Sequence, residues 1–559
     1  MKTLALDWPR RLGGLAFSVG LALAACGVLF AALLGRVPGA WAAAAGVSRD
    51  YPGTGVCSTT LQACLDGALD GDTIVVQPGT YVTNTLTLNH PVSLTGVSSA
   101  TVTLQALTNQ RVLSVTGVTV DSSVIIANLT FSGGHAVGAN CPEGCGGGIW
   151  IGDSAQPQLV NLTLTNNTAD YQGGAVYTDY NLTVQNTQFI SNTAGANGGA
   201  VYVFETAHFT GGLFRDNKCL SGCLGGGMYV GTRLVMAGTQ FLSNTAGDAG
   251  GGLWSDGLAD ITGSLFQHNQ CTDLTCAGGG FGAIGGTASL TDTQFISNTA
   301  IGGGGGVTSL SNLRVIGGLY QGNQCAGPDC EGGGLALTAS GSSLSISGAR
   351  FVGNTGALGG GVFAFGPTSI SNTLFIDNQG QDGGAVHQAG FGGGGEYVND
   401  LFAGNTASGN GQALYLKAPA GARVLFSTIA RPGAAGVGAA IYVPTHTVGI
   451  TDTLIASYTV GIQNAGGTVS ENYTLFSGVV TPTVGVVASG GNSLTGAAAF
   501  RDPALADYHL RNGSAARDAG AAAGVSADID GDARPFGAGF DIGYDEDVNR
   551  YLFLPLVMK

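Results

Sequence analysis

Apolar and small polar residues alternate in short segments along most of this chain. The segments Leu162–Thr165, Leu182–Gln185 and Leu344–Ser347 read Leu-Thr-Leu-Thr, Leu-Thr-Val-Gln and Leu-Ser-Ile-Ser. Alternation with a period of two predicts strands that bury one face. Glycine-rich turns separate these segments, and no helical period of 3.6 residues is sustained. The pattern therefore predicts an all-β protein built from short strands.

One phrase recurs at nearly constant spacing: an aromatic residue, two variable residues and Asn, followed by a glycine pair. Successive aromatic residues lie 24 to 31 residues apart. A fixed period of this length indicates a solenoid, and several short strands per repeat are typical of one coil of a parallel β-helix. We expect about fifteen coils, stacked at a strand spacing of about 4.8 Å. The aromatic positions are Phe189, Phe214, Phe241, Phe266, Phe295, Tyr320, Phe351, Phe375 and Phe402.

Each motif residue has a structural interpretation. The aromatic side chains are expected to stack in a ladder inside the coils. The Asn residues are expected to lie at a turn and to form a second ladder through their amides, and Asn tolerates left-handed backbone angles. The glycine pair permits a positive φ or close packing between coils. None of the motif residues is predicted to be catalytic.

The glycine phrases resemble those of a known family. Gly173–Val176, Gly198–Val201 and Gly383–Val386 read Gly-Gly-Ala-Val and alternate with Phe-x-x-Asn. This resembles the repeats of the polymorphic outer-membrane-protein family over residues 128–410. The resemblance implies a right-handed single-stranded parallel β-helix that is exposed on a cell surface and often adhesive. Those proteins end in a translocating β-barrel, whose alternating ten-residue strands are not evident here, so an autotransporter is not expected.

The segment before the repeats resembles a different set of secreted proteins. Within residues 46–90, the run from Asp72 to Tyr81 is similar to the opening coil of pectin-lyase-like β-helix proteins. An open first coil would expose core and strand edge. We therefore expect an N-terminal cap that includes a short helix carrying Leu61, Leu65 and Leu69.

The segment after the repeats resembles the choice-of-anchor segment of bacterial surface β-helix proteins. The similarity covers residues 500–547 and departs from that family at Ser514–Asp518. It implies an exported, surface-associated protein. We expect repeats over residues 91–499 and a C-terminal cap over residues 500–547.

Both ends of the chain carry apolar segments. Residues 1–45 contain Arg10-Arg11, an apolar run and small residues at Ala42–Ala45, which predicts an export signal. A retained membrane anchor and lipidation at Cys26 are the alternatives. The tail, residues 548–559, is too short to span a bilayer and is interpreted either as a removable sorting tag or as a last strand.

Ten of the 11 cysteines lie beyond the leader, in five local pairs. Their spacing and the lack of neighbouring His argue against zinc. Disulfides are predicted instead, as in many exported proteins. The pairs are Cys57/Cys64, Cys141/Cys145, Cys219/Cys223, Cys271/Cys276 and Cys325/Cys330.

Composition limits the partners and the chemistry. The net charge of −15 and the absence of a basic stripe argue against nucleic acid, and a membrane is expected to be contacted only through a terminal anchor. Polysaccharide lyases and glycosidases need a carboxylate and base, or paired carboxylates, in register on neighbouring coils. The candidates are sparse, and no residue is assigned a catalytic role. They are Asp153, Asp170 and Asp179; Asp256 and Asp260; and Lys417 and Arg423.

One metal site is suggested by the C-terminal segment. Asp528, Asp530 and Asp532 alternate there, and their oxygens suit Ca²⁺. The alternative is a turn whose Asp side chains accept bonds from their own backbone. No other cofactor is predicted.

Taken together, these features favour an exported, cell-surface β-helix that acts as a non-catalytic adhesion or surface-interaction scaffold. Its expected partners are glycans or other surface components, through weak multivalent contacts. A polysaccharide lyase or glycoside hydrolase is the alternative, followed by a purely structural coat protein.

Overall fold

Each coil of the chain adds one strand to each of several parallel sheets. The computed structural model describes residues 46–548 apart from 221, 391, 434 and 435, with backbone alone at 436 and 437. In one coil, four strands follow one another and pair in register with their equivalents in the next coil; they define the first, second, third and fourth sheets. The predicted parallel β-helix is confirmed. The four strands are Leu182–Gln185, Gln188–Ile190, Thr193–Ala194 and Val201–Val203.

Among the described residues, the first and second sheets contain eighteen and seventeen strands. The first sheet comprises Ser48–Tyr51, Thr73–Val76, Ser93–Gly96, Ile125–Ala127, Gln158–Val160, Leu182–Gln185, Thr206–Thr210, Arg233–Ala237, Leu258–Thr262, Ala288–Thr291, Leu313–Ile316, Leu344–Ser347, Thr368–Ser371, Gly395–Val398, Ala422–Leu425, Thr447–Thr451, Thr468–Asn472 and Val487–Ser489. The second comprises Gly79–Thr83, Val102–Ala106, Thr130–Ser132, Thr163–Thr165, Gln188–Ile190, Leu213–Arg215, Gln240–Leu242, Leu265–Gln267, Gln294–Ile296, Leu319–Gln321, Arg350–Val352, Leu374–Ile376, Leu401–Ala403, Thr428–Ala430, Leu454–Ala456, Leu475–Ser477 and Leu494–Thr495.

The third sheet is short, and the fourth contains sixteen strands within the part of the chain that the structure describes. The third comprises His135–Ala136, Thr168–Ala169, Thr193–Ala194, Lys218–Cys219, Thr245–Ala246, Gln270–Cys271, Thr299–Ala300 and Gln324–Cys325, with a separate pair, Gln379–Gly380 and Thr406–Ala407. The fourth comprises Leu86–Leu88, Leu113–Val115, Ile149–Ile151, Val176–Thr178, Val201–Val203, Met228–Val230, Leu253–Ser255, Phe281–Ala283, Val307–Ser309, Leu335–Leu337, Val362–Ala364, Val386–Gln388, Leu414–Leu416, Gly436–Val443, Tyr458–Asn464 and Thr481–Val484.

An aromatic ladder fills the interior behind the second sheet, as predicted. The ring of Phe241 stacks between Phe214 and Phe266, with centroids 4.5 and 4.7 Å away and interplanar angles of 3° and 4°. The stack continues from Phe189 to Phe402 at centroid distances of 4.5–5.1 Å. One ring per coil therefore supplies a continuous buried core.

The predicted Asn ladder is also present, but the left-handed backbone angle falls elsewhere. Asn244 and Asn269 are fully buried, and the residues before them, Ser243 and His268, carry the positive φ of 55°. The preceding residue turns the chain, and this turn directs the Asn amide into the interior.

The N-terminal end carries the expected helix, Leu61–Gly67, preceded by a 3-10 turn, Gly55–Ser58. Leu61 and Leu65 are buried on its inner face. Leu69 lies beyond the helix and is 68% exposed, so it does not join the cap core. The predicted signal at residues 1–45, Cys26 included, lies outside the described residues, as does the tail from residue 549.

The C-terminal segment packs on the flank of the last coils and does not cover their open end. It contains a 3-10 turn, Pro503–Leu505, and two antiparallel strands, Phe500–Asp502 and Asp507–Leu510. Apolar residues of this segment, such as Ile542, are buried against outward-facing Leu454 of the second sheet. Val480 and Val486 in the last coil remain 69% and 86% exposed. The outer side of this flank is apolar, and the C-terminal segment packs there instead of on the coil end.

All five predicted disulfides are present: Cys57–Cys64, Cys141–Cys145, Cys219–Cys223, Cys271–Cys276 and Cys325–Cys330. They are typical of an extracellular protein. Within the described part of the chain, no helix is both long and apolar enough to cross a membrane.

Candidate functional site

A groove of about 840 Å³ runs across the outer face of the first sheet. It crosses six successive strands, from Leu344–Ser347 to Thr468–Asn472. Alternation within each strand buries side chains such as Leu344 and Ile346 and turns Ser345 outward. The groove floor therefore presents small polar side chains such as Ser345, and the apolar side chains of the same strands lie in the interior.

The floor contains one row of residues in register, one from each coil. Near its middle, Glu396 faces Arg423, with Oε1 3.5 Å from Nη1, and each side chain is about half exposed. Gly449 follows Arg423 in the row and leaves open space beside the guanidinium. The full row is Ser345, Ser369, Glu396, Arg423, Gly449 and Ser470.

The C-terminal segment forms one wall of an adjoining hollow of about 870 Å³. The wall is the loop 523–531, and the hollow shares Ser369, Glu396 and Arg423 with the groove. The amide of Asn399 donates to the carbonyl of Ala527 at 2.7 Å and attaches the loop to the coils. The C-terminal segment therefore enlarges the surface around the groove and also covers the flank of the last coils.

This arrangement offers hydrogen-bonding groups and small apolar surfaces to a ligand. Hydroxyls, peptide groups and the Glu396–Arg423 ion pair line the groove together with proline and alanine side chains. A glycosidase needs two carboxylates about 5–10 Å apart. Among the described residues that line the groove, Glu396 is the one carboxylate, and Asp528 and Asp530 line the adjoining hollow. Sequence reasoning found Arg423 but missed Glu396. The two residues are 27 positions apart in the sequence, which is one coil length, and this spacing could have indicated that they face each other.

The first set of candidate catalytic carboxylates is divided: Asp153 and Asp179 follow two paired strands of the fourth sheet, whereas Asp170 lies elsewhere. Asp170 follows a third-sheet strand and lies 2.8 Å from the Nε2 of His135. Asp179 follows a fourth-sheet strand and accepts a hydrogen bond from the Tyr177 hydroxyl at 2.7 Å. Asp153 follows another fourth-sheet strand, Ile149–Ile151. Asp170 and Asp179 thus lie at opposite ends of the fourth-sheet strand and have separate structural partners.

The second set is also divided. Asp256 accepts hydrogen bonds from the Trp254 indole at 2.6 Å and from the Tyr229 hydroxyl. Asp260 is on the outer face of the first sheet, 3.1 Å from Arg233. Lys417 follows the fourth-sheet strand Leu414–Leu416, away from the groove. Asp256 and Asp260 therefore each contact a side chain of the preceding coil, and they do not share a partner.

Two of the predicted Ca²⁺ ligands, Asp528 and Asp530, have different partners. One oxygen of buried Asp528 accepts the N–H groups of Asp530 and Asp532, at 3.0 and 2.8 Å, and the other accepts that of Glu546 at 2.9 Å. Asp528 therefore braces the turn. Asp530 is exposed and lies 3.1 Å from the Nε2 of His509.

Comparison with known proteins adds little to this picture. No protein-family model matches the chain, and no curated protein is similar to it in sequence. Solved structures with the same general architecture include a mannuronan C-5 epimerase A-module of Azotobacter vinelandii, which is 13% identical over 78% of this chain and 94% of the epimerase module, with a TM-score of 0.24. A PL6 alginate lyase in complex with a trisaccharide is 12% identical, over 78% of this chain and 87% of the lyase, with a TM-score of 0.29.

A further solved structure is PfbA, a surface adhesin of Streptococcus pneumoniae. It is 10% identical, over 73% of this chain and 88% of the adhesin, with a TM-score of 0.22. At these values the similarities add nothing beyond the coil architecture that the strand pairing already shows.

Proposed function

We propose that this protein is a non-catalytic, surface-displayed β-helix that binds glycans along the first-sheet groove. The observation that carries the proposal is the floor of the groove: serine hydroxyls and one Glu396–Arg423 pair lie in register over six coils. Apart from Gly449, each residue of this row offers a donor or an acceptor, and the strands are spaced by about 4.8 Å, which suits a linear chain of polyols.

The charge of the protein favours uncharged glycans. The ion pair in the groove has no net charge, and the whole chain has a net charge of −15, which repels polyanions. Contacts at each coil are weak, so useful affinity arises when several are made together. Display at a cell surface, after export by the N-terminal segment, places the groove where such glycans are met.

Calorimetric titration of the full-length protein with neutral xylo-, cello- and chito-oligosaccharides tests the proposal, with oligogalacturonate as the acidic comparison. We expect binding of a neutral oligomer to weaken about tenfold in the double variant Glu396→Gln/Arg423→Gln, because charge-assisted hydrogen bonds contribute about 1.5 kcal/mol or more. The matched control is Arg233→Gln/Asp260→Asn, which removes a similar exposed pair from the same sheet outside the groove.

Equal affinity of the wild type and the groove variant, or equal weakening in the control, would contradict the proposal. The same samples are assayed for new reducing ends and for unsaturated products. Turnover that is lost in the groove variant would instead support the lyase or hydrolase alternative. The Ca²⁺ hypothesis is tested by repeating the titration with and without added CaCl₂.

A further inference from the structure

Three side chains from separate parts of the C-terminal segment lie close together. They are beside the hollow that adjoins the first-sheet groove, called the second hollow from here on. His509 is on the strand Asp507–Leu510, Asp530 is in the loop that walls the hollow, and Asp545 follows buried Tyr544. One ring nitrogen of His509 and one carboxylate oxygen from each Asp all lie within 4.8 Å of one another. Rotations of these side chains would bring the three atoms onto a single ion.

The histidine is oriented as metal-binding histidines are. Its Nδ1 lies 2.6 Å from the Oδ1 of Asp507, which orients the ring and leaves Nε2 on the side of the cluster. A carboxylate on the far ring nitrogen is the usual support of a metal-ligating His. Nε2 is buried and lies 3.1 Å from the Oδ2 of Asp530. It nevertheless makes no hydrogen bond with any described residue, because the ring does not point at that oxygen.

Asp545 is held at the base of the cluster. It is 3% exposed, and its Oδ2 accepts the Leu510 N–H at 2.7 Å. With Asp507 on the other ring nitrogen, three carboxylates lie around one imidazole, and the guanidinium of Arg501 interacts with two of them, Asp507 and Asp545. One cationic side chain beside three carboxylates leaves negative charge that a divalent ion can balance.

We propose that His509, Asp530 and Asp545 bind a divalent transition-metal ion of the zinc class. An imidazole nitrogen with two carboxylate oxygens suits Zn²⁺, whereas Ca²⁺ prefers an all-oxygen set. Asp507 is the positioning residue that holds the imidazole. The ion would connect the strand Asp507–Leu510, the loop that walls the second hollow and the end of the C-terminal segment. Of the Ca²⁺ ligands proposed from the sequence, this site uses Asp530 alone.

The test is titration of chelator-treated full-length protein with ZnCl₂, followed by calorimetry and by thermal unfolding. We expect one saturable site per chain and an unfolding temperature that rises with Zn²⁺, because a ligand bound only to the folded state stabilises it. His509→Gln and Asp530→Asn should each abolish that site. Asp507→Asn should weaken it about 10- to 100-fold.

His208→Gln is the control, because this histidine is exposed on the first sheet, away from the cluster. It should leave the affinity unchanged. Asp530 is exposed, so its variant should fold, and circular dichroism checks this directly. Absence of saturable Zn²⁺ binding by the wild type, or unchanged binding by folded Asp530→Asn and His509→Gln, would overturn the proposal. Equal affinity for Ca²⁺ would also overturn it.

Discussion

The side-chain amide of Asn244 donates a hydrogen bond to the side-chain carbonyl of Asn269 in the next coil, at 2.9 Å. The same carbonyl accepts the backbone N–H of Asn244 at 3.0 Å, and the Asn244 amide also donates to the carbonyl of Phe214 at 3.0 Å. Each buried amide therefore satisfies groups in three coils. This relationship repeats from Asn167 to Asn405.

Replacing one Asn of the ladder should destabilise the neighbouring coils. Asn269→Ala leaves the Asn244 N–H groups and the Phe241 carbonyl without their buried partners. We expect a loss of about 3 kcal/mol, measured by urea unfolding. Gln240→Ala, which removes an exposed amide from the same coil as Asn244, is the control and should have little effect. Equal losses would show that the ladder is not a major source of stability.

Neither glycine of the pair leaves room for a side chain, and the second one packs against the next coil. Gly250 carries a φ of +61°, and a Cβ there would lie 2.4 Å from the carbonyl oxygen of Leu253. A Cβ on Gly251 would lie 2.3 Å from the carbonyl oxygen of Gly279 and 2.5 Å from the carbonyl carbon of Gln270, both backbone atoms of the next coil. We expect Gly251→Ala to lower stability by at least about 3 kcal/mol in the same assay.

The control for this substitution is Gly238→Asn. Gly238 has a φ of +65°, which Asn tolerates, and a Cβ there meets no atom within 4 Å. Its loss should be much smaller. A mild effect of Gly251→Ala would mean that adjacent coils can separate without cost.

Stability should depend on pH through buried Asp452. Its Oδ1 accepts the Ala521 N–H at 2.8 Å, and its buried Oδ2 has no hydrogen-bond partner among the described residues. Burial raises the pKa of this carboxyl to about 6, above the unfolded value of about 3.9. The protonated form therefore favours folding below about pH 4, and this contribution is lost as the pH rises through 6.

Asp452→Asn removes the charge and keeps the acceptor. We expect its unfolding temperature to exceed that of the wild type at pH 7.5, with little difference at pH 4. Exposed Asp260→Asn should not show this pattern. A gain for Asp452→Asn that is larger at pH 4 would reverse the assigned direction of the pKa shift.

Arg534 is a buried cation that joins the C-terminal segment to the coils. It donates to Glu546 at 3.0 Å and to the Gly543 carbonyl at 2.8 Å, and its guanidinium lies 4.4 Å from the ring centroid of Phe426. Arg534→Met leaves the Glu546 carboxylate buried without this partner. We expect a loss of about 3–5 kcal/mol, observed as faster hydrogen exchange across residues 500–547.

The double variant Arg534→Met/Glu546→Gln should recover part of this loss, because the buried charge is removed together with its partner. Arg423→Met is the comparison on the coil surface, where the ion pair with Glu396 is half exposed. It should leave hydrogen exchange in the C-terminal segment unchanged. If the double variant were no more stable than the single one, packing of Arg534 would matter more than its charge.

Much of the fold follows from short-range patterns in the sequence. The coil period, the aromatic and Asn ladders and the five disulfides depend on residues that recur at nearly one coil length or lie within a few positions of each other. Parallel stacking brings such residues together wherever the coil period is kept. The alternation of polar and apolar residues likewise determines which face of each strand is buried.

The tertiary structure alone decided which surface residues face one another. Glu396 and Arg423 lie one coil apart in the sequence, but their contact depends on where each coil begins, because paired residues of the first sheet are between 18 and 33 positions apart. His509, Asp530 and Asp545 meet because the C-terminal segment folds back on itself against an apolar flank. Repetition makes the core predictable, whereas contacts between non-repeating segments depend on long-range packing that no local pattern specifies.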